Sequence, residues 1–129
     1  MALVGVALLA VGGCRSDPSS PRGVAERFLD AYYVQIDLAA SSELAVGVAQ
    51  SKIVRELELT RGVRIDADTR KPSIHYRLED ERGGEDAVRF VYRLTIVPED
   101  AERFHRLVLL TLRDGGSGWQ VSNFEELAE

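Results

Sequence analysis

The stretch VRFVYRLTI, residues 88–96, alternates between large apolar side chains and side chains that are charged or smaller. The apolar series consists of Val88, Phe90, Tyr92, Leu94 and Ile96. Because successive side chains of a strand point to opposite faces, a period of two predicts a β-strand with one face in a hydrophobic core. The opposite face would carry Arg89, Val91 and Arg93 toward solvent or a partner.

Three further strands are predicted around this one. Residues 74–78 repeat the alternation, residues 107–112 form a nearly continuous apolar run, and residues 119–124 come last. The continuous run predicts a central strand that is covered on both faces. Glycines at 83–84 and 115–118 mark short turns, so the four strands should form an antiparallel meander.

The first part of the chain is helical in character. An apolar residue recurs every four positions from Val24 to Ile36, which predicts one helix face. Ser20 and Pro21 suit the N-cap and the first helical position, and residues 37–57 predict further helical pieces. Helices followed by a meander predict an α+β domain, with N-terminal helices packed on one face of a curved four-stranded antiparallel sheet.

Composition limits the class of protein. The chain has 129 residues, 16 basic and 21 acidic side chains, and a formal net charge of −5. That length suits one core and not two domains. The single cysteine excludes a disulfide framework, and an acidic chain without a basic cluster argues against a nucleic-acid partner.

The chain begins with an uncharged, mostly apolar run, residues 2–13, that ends at Cys14. As a helix the run would be about 18 Å long, too short for a hydrocarbon core of about 30 Å. It fits the apolar region of a secretory signal. Residues 10–14, AVGGC, resemble the lipobox of bacterial lipoproteins.

The lipobox resemblance implies a location. It divides the chain into a lipoprotein signal peptide at 1–13, an acylated Cys14 with a flexible tether at 14–21, and a folded domain at 22–129. The partner would be a membrane of the cell envelope, held through Cys14. Arg15 after the cysteine favours the periplasmic side of the outer membrane if the host is Gram-negative. A soluble cytoplasmic protein with a free cysteine is the alternative.

Two other stretches resemble NTF2-like domains. Residues 25–33, AERFLDAYY, look like the first helix of that superfamily, and residues 118–124, GWQVSNF, look like its final strand. The resemblance covers about residues 21–129 and implies a cone-shaped α+β domain that often dimerises through its sheet. A cystatin-like domain, with one helix on four strands, is the alternative fold. The extra helical length between Asp37 and Leu57 favours the NTF2-like fold.

Enzymes of this superfamily, such as ketosteroid isomerases and scytalone dehydratases, place Asp, Tyr or His in the pocket of the cone. The corresponding catalytic candidates here are Tyr32, Asp37 and Tyr92. Tyr32 and Tyr92 are in phase with apolar neighbours, which favours a place in the core, and Asp37 suits a helix cap. Asp66 and Asp68 lack the further oxygen ligands of a calcium loop. No catalytic site, cofactor or metal is therefore predicted.

Arginines on the strands suggest a binding surface instead. Arg77, Arg89 and Arg93 project from the predicted sheet on the side that also carries Val91, a mixture typical of interfaces. The leading hypothesis is a lipid-anchored, non-enzymatic binding or assembly module that uses its sheet face. Its partner would be a second copy or another envelope protein. The alternative is a carrier for a small apolar ligand, or a small lyase or isomerase, that uses the cone pocket.

Overall fold

The computed structural model describes residues 17–63 and 70–127. Three α-helices come first: α1 (Pro21–Leu29), α2 (Leu38–Glu43) and α3 (Gly47–Leu59). A π-helical segment, Asp30–Val34, extends α1. The four strands follow as β1 (Ser73–Gly83), β2 (Ala87–Val97), β3 (Phe104–Asp114) and β4 (Trp119–Leu127).

The strands form one antiparallel sheet in the order β1-β2-β3-β4, which confirms the predicted meander. The helices pack on one face of this curved sheet, as the α+β prediction requires. The fully buried side chains include Phe28 on α1, Ile53 on α3 and Phe90 on β2. Burying one such side chain contributes roughly 1.5–3 kcal/mol, so these contacts hold the two layers together.

Every residue of the core cluster lies between Val24 and Phe124. The core of the described residues therefore lies wholly within the part of the chain that follows the predicted tether. In the described ranges, 17–63 and 70–127, no helix has the length and apolar character needed to cross a membrane.

The first helix begins as predicted. Ser20 is the N-cap, and its hydroxyl accepts a hydrogen bond from the Gly23 amide at 3.0 Å, while Pro21 occupies the first turn. Beyond Leu29 the expected period of four is wrong. The Gln35 amide donates to the Asp30 carbonyl at 2.8 Å, which is an i to i+5 bond and widens the turn.

The wider turn changes which aromatic residue enters the core. Tyr33, five residues after Phe28, is 8% exposed, whereas Tyr32 is only half-buried against the core. The prediction that Tyr32 continues the core series of Phe28 is corrected accordingly. Ile36 then adopts a φ of 53°, which is unusual for a β-branched residue and ends the helix.

The link between α2 and α3 runs along the free edge of β4. The Val46 amide donates to the Val121 carbonyl at 2.8 Å, and the Val121 amide donates to the Leu44 carbonyl at 2.9 Å. Two otherwise unpaired groups of an edge strand are thereby satisfied. The contact also fixes where α3 begins relative to the sheet.

The prediction that residues 107–112 are covered on both faces is wrong. Val108, Leu110 and Leu112 are fully buried beneath the helices, but Leu107 and Leu109 on the opposite side keep part of their surface accessible. The strand is central because of its neighbours β2 and β4, and not because a second layer covers it. Among residues 17–63 and 70–127, no element covers this second face of the sheet, and we call it the outer face.

Candidate functional site

The outer face carries an apolar stripe near its middle. Val91 of β2 lies directly opposite Leu109 of β3, and Leu107 lies opposite Leu127 of β4. Val91, Leu107 and Leu109 are half-buried by their neighbours on the sheet, and Leu127 is 40% exposed. Apolar side chains on the middle strands of an uncovered sheet face are typical of a surface that meets a partner.

The structure brings the three predicted arginines together beside this stripe. Arg77 pairs across the strands with Arg93, and Arg89 is on the same face four residues before Arg93. Arg93 Nε and Arg77 Nη2 both donate to Glu79 Oε1, at 2.8 Å and 3.0 Å. Glu79 lies at the irregularity in β1 between Leu78 and Asp80.

Glu79 therefore orients two of the arginines. The hydrogen bond from Arg93, followed by that from Arg77, lowers the pKa of the Glu79 carboxyl below its usual range. The carboxyl is solvent-exposed, so the pairs hold the guanidinium groups in place more than they stabilise the fold. Arg89 forms no ion pair with any residue of the described ranges.

The inner side of the sheet is filled. Phe28, Phe90 and Leu110 have no exposed surface, and Tyr92 is 1% exposed. The Tyr92 hydroxyl donates to Glu26 Oε2 at 3.3 Å. Side chains thus occupy the centre of the cone around Tyr92.

The other catalytic candidates lie elsewhere. The Asp37 carboxylate accepts a hydrogen bond from the Ala40 amide at 3.1 Å and caps α2. Tyr32 lies at the rim of the cone, between α3 and the end of β4. Tyr32, Asp37 and Tyr92 therefore occupy three separate places in the fold and do not meet at a shared reaction centre.

At the rim, two tyrosines meet two glutamates from different elements. The Tyr32 hydroxyl donates to Glu56 Oε1 on α3, and the Tyr33 hydroxyl donates to Glu126 Oε1 on β4 at 3.1 Å. The two tyrosine rings touch edge to face, with centroids 4.7 Å apart. We call Tyr32, Tyr33, Glu56 and Glu126 the rim cluster.

Burial and these carboxylates act on the tyrosines in the same direction. Burial is the first cause that raises the pKa of Tyr32, and the hydrogen bond to Glu56 raises it further. Burial also raises the pKa of Tyr33, with the negative charge of Glu126 as the next cause. Both phenols therefore stay protonated and act as hydrogen-bond donors at neutral pH.

Sequence reasoning missed Glu56 and Glu126. A signal was present, since Glu56 follows Ile53 by three positions on one helix face and Glu126 follows Phe124 by two on one strand face. A carboxylate in phase with an apolar series is a candidate for a partly buried site. What the sequence could not supply was the π-helical turn that brings both tyrosines to these carboxylates.

Several predictions fall on residues that the structure does not describe. Residues 1–13, Cys14, Asp66 and Asp68 all lie outside the described ranges. Within those ranges no group of three or more His, Cys, Asp and Glu side chains is arranged to hold a metal ion.

Comparison with known proteins supports the fold. No family model and no curated protein sequence matches the chain. A solved structure of a putative calcium/calmodulin-dependent protein kinase type II association domain from Thiobacillus denitrificans superposes with a TM-score of 0.63 at 13% identity, covering 83% of this chain and 93% of that one.

Designed NTF2 proteins give similar results. One superposes with a TM-score of 0.58 at 13% identity, covering 82% of this chain and 95% of its own. Another, described as having a long sheet, gives 0.55 at 14% identity, covering 84% of this chain and 100% of its own. The chain thus has the NTF2-like cone fold, and at this level of identity the likeness concerns the fold alone.

Proposed function

We propose that this protein is a lipid-anchored, non-enzymatic association module of the cell envelope that pairs with a second copy of itself through the outer face. The observation that carries the proposal is the apolar stripe of Val91, Leu107 and Leu109 on a face that no other element of the described chain covers. The Thiobacillus neighbour is likewise described as an association domain.

The size of the outer face suits a dimer. Its longest strands have 11 residues, so the face measures about 36 Å by 19 Å at ~3.3 Å per residue and ~4.8 Å per strand. A contact over the whole face would cover close to 700 Å² per partner, against about 800 Å² in a standard stable interface.

The arrangement of charges also permits a two-fold contact. Arg77 lies on β1 and Glu125 lies on β4, on the outer face at opposite edges of the sheet. A two-fold axis along the stripe would turn the β1–β2 half of one copy over the β3–β4 half of the other. The same surface would then supply both members of a charge pair.

A lipid anchor would strengthen a weak interface. Acylation of Cys14 would confine all copies to one membrane surface within reach of a short tether, which raises their effective concentration. The single cysteine, the tether and the association surface then serve one function. This part of the proposal rests on the sequence of residues 2–14.

The test compares three versions of residues 15–129 by sedimentation equilibrium. The wild type should form a dimer at micromolar concentrations. Leu109→Glu should weaken dimerisation by at least tenfold, because it buries a charge at the centre of the interface.

Leu59→Glu is the matched control. Leu59 is 76% exposed on α3, which packs on the inner face of the sheet, so the same chemical change there should leave the dimer intact. A wild-type domain that stays monomeric, or an equal loss of dimer in both variants, would contradict the proposal.

A further inference from the structure

Two neighbouring clefts lie at the rim of the cone and are separated by one pair of side chains. One, of about 630 Å³, lies between α3 and the end of β4, and the other, of about 320 Å³, extends toward β1. Tyr32 and Glu56 line both. The hydrogen bond between them therefore forms the wall that separates the two clefts.

The smaller cleft is lined mainly by apolar surface. Its walls include Ile36, Leu38, Val63 and Ile74, together with the ring of Tyr33. A volume of this size is at the lower end of the range for small-molecule sites. We call it the apolar cleft.

Within the described residues, the two carboxylates of the rim cluster have no cation as a direct partner. In the described part of the chain, neither Glu56 nor Glu126 has a Lys or Arg nitrogen within ion-pair distance. Their partners are the neutral hydroxyls of Tyr32 and Tyr33. Glu56 thus places a carboxylate in the wall of an apolar space, and Glu126 lies behind Tyr33 on the side of the larger cleft.

Lys52, which lines the larger cleft, has other partners. Its ammonium donates to the Phe124 carbonyl at 2.7 Å and to Asn123 Oδ1 at 3.0 Å, and it lies 5.2 Å from the centre of the Phe124 ring. These contacts tie α3 to β4. Arg55 also lines the larger cleft, but its side chain is on the exposed surface of α3 and does not line the apolar cleft.

We propose that the apolar cleft binds a small primary amine with an apolar body, whose ammonium group takes the place of the Tyr32 hydroxyl on Glu56. The apolar body would pack against Ile36 and Ile74, and the charge would be matched by Glu56, the carboxylate that lines this cleft. A hydrogen bond between two charged groups is stronger than one from a neutral phenol, so the ammonium can displace Tyr32. The site does not depend on the association proposal, since it lies on the opposite side of the sheet.

The probes are n-hexylammonium, hexanol and hexanoate, which share one apolar body and differ in the charge of the head group. Binding to residues 15–129 is followed by NMR amide shifts at millimolar probe concentrations. Hexylammonium should shift residues around Val63 and Ile74, hexanol should bind at least tenfold more weakly, and hexanoate should not bind, because its charge repels Glu56.

Two variants test the role of the hydrogen bond between Tyr32 and Glu56, and they should change the affinity for hexylammonium in opposite directions. Glu56→Gln should weaken hexylammonium binding at least tenfold, because it removes the charge and keeps the shape. Tyr32→Phe should strengthen binding several-fold, because the ring remains and the competing donor is lost. Glu58→Gln, on the exposed side of the same helix, is the matched control and should bind as the wild type does.

Other results would overturn the proposal. Equal binding of the three probes would show that only hydrophobic contact operates at the cleft. No shift with hexylammonium would show that the site does not take amines, and unchanged affinity in folded Glu56→Gln would remove the assigned contact.

Discussion

Each of the four tyrosines of the chain donates its hydroxyl to a carboxylate. The pairs are Tyr32 with Glu56, Tyr33 with Glu126, Tyr76 with Asp30, and Tyr92 with Glu26. A buried phenol needs a hydrogen-bond partner, and a bond to a charged acceptor contributes about 1.5–3 kcal/mol. These pairs therefore help to fix how the helices sit on the sheet.

The residue scale gives a prediction about alkaline pH. Burial is the first cause that raises the pKa of every tyrosine, and the neighbouring carboxylates add to it. The unfolded chain ionises near pH 10. Because the folded pKa values are raised, their contribution to stability is complete below that pH and is lost as the pH rises above it.

Tyr33 and Tyr92 are the most buried of the four, at 8% and 1% exposure. Each should lower the free energy of unfolding by about 1.4 kcal/mol per pH unit above ~10. Urea unfolding measured up to pH ~11 checks the slope. Tyr33→Phe should make this slope shallower by the contribution of one titrating group, about 1.4 kcal/mol per pH unit. Ordinary titration of all four phenols near pH 10 in a still-folded protein would refute this account.

At the scale of elements, the strands were the most predictable part of the molecule. The alternation in residues 88–96 is matched by the burial of Val88, Phe90, Tyr92 and Leu94 in the structure. The alternation of side chains follows from the backbone geometry of a strand alone, so a strand can be predicted without knowing which strands lie beside it. Whether one or both faces of β3 are covered could not be predicted from the sequence, because Leu107 and Leu109 are compatible with either arrangement.

The helical segment was less predictable for a different reason. In the turn at Asp30–Val34, Tyr32 and Tyr33 make tertiary contacts with α3 and β4. Local propensity does not encode such contacts. The period of four was right up to Leu29 and failed where those contacts begin.

Gly47 provides a test at the same scale. It starts α3 with a φ of 57°, and a Cβ placed there would meet only the Ser122 carbonyl oxygen, at 3.9 Å. Gly47→Ala should therefore destabilise the fold by about 1–2 kcal/mol through its backbone conformation and not through a clash.

Urea unfolding can measure this change directly. Ser51→Ala, at an exposed position of the same helix, should stay within about 0.5 kcal/mol of the wild type. A Gly47→Ala variant that is more stable than the wild type would show that Gly47 is an ordinary helical residue, since alanine is favoured there by roughly 0.5–1 kcal/mol.

At the scale of the whole molecule, the α+β architecture followed from the order of the patterns along the chain. The outer face was also accessible to prediction, since parity places Arg89, Val91 and Arg93 on one side of β2. The rim cluster could not be predicted, because its residues come from α3, β4 and the turn after α1. These elements are distant in the sequence and come together only in the packed fold.

The proposed anchor can be tested on the full chain in a bacterial host. The wild type should fractionate with membranes, and Cys14→Ser should move most of the protein to the soluble fraction, because the acyl chains provide the attachment. Circular dichroism of the variant checks that the domain remains folded. Equal distribution of the two proteins between the fractions would rule out anchoring through Cys14.

The central claim is that two copies meet through the outer face, and site-directed cross-linking tests it most directly. Residues 15–129 contain no cysteine, so Leu109→Cys and Leu59→Cys each introduce a single thiol into an otherwise thiol-free domain. With a short thiol-specific cross-linker, Leu109→Cys should give a covalent dimer and Leu59→Cys should remain monomeric. Failure of Leu109→Cys to cross-link, or equal cross-linking of both, would contradict the claim.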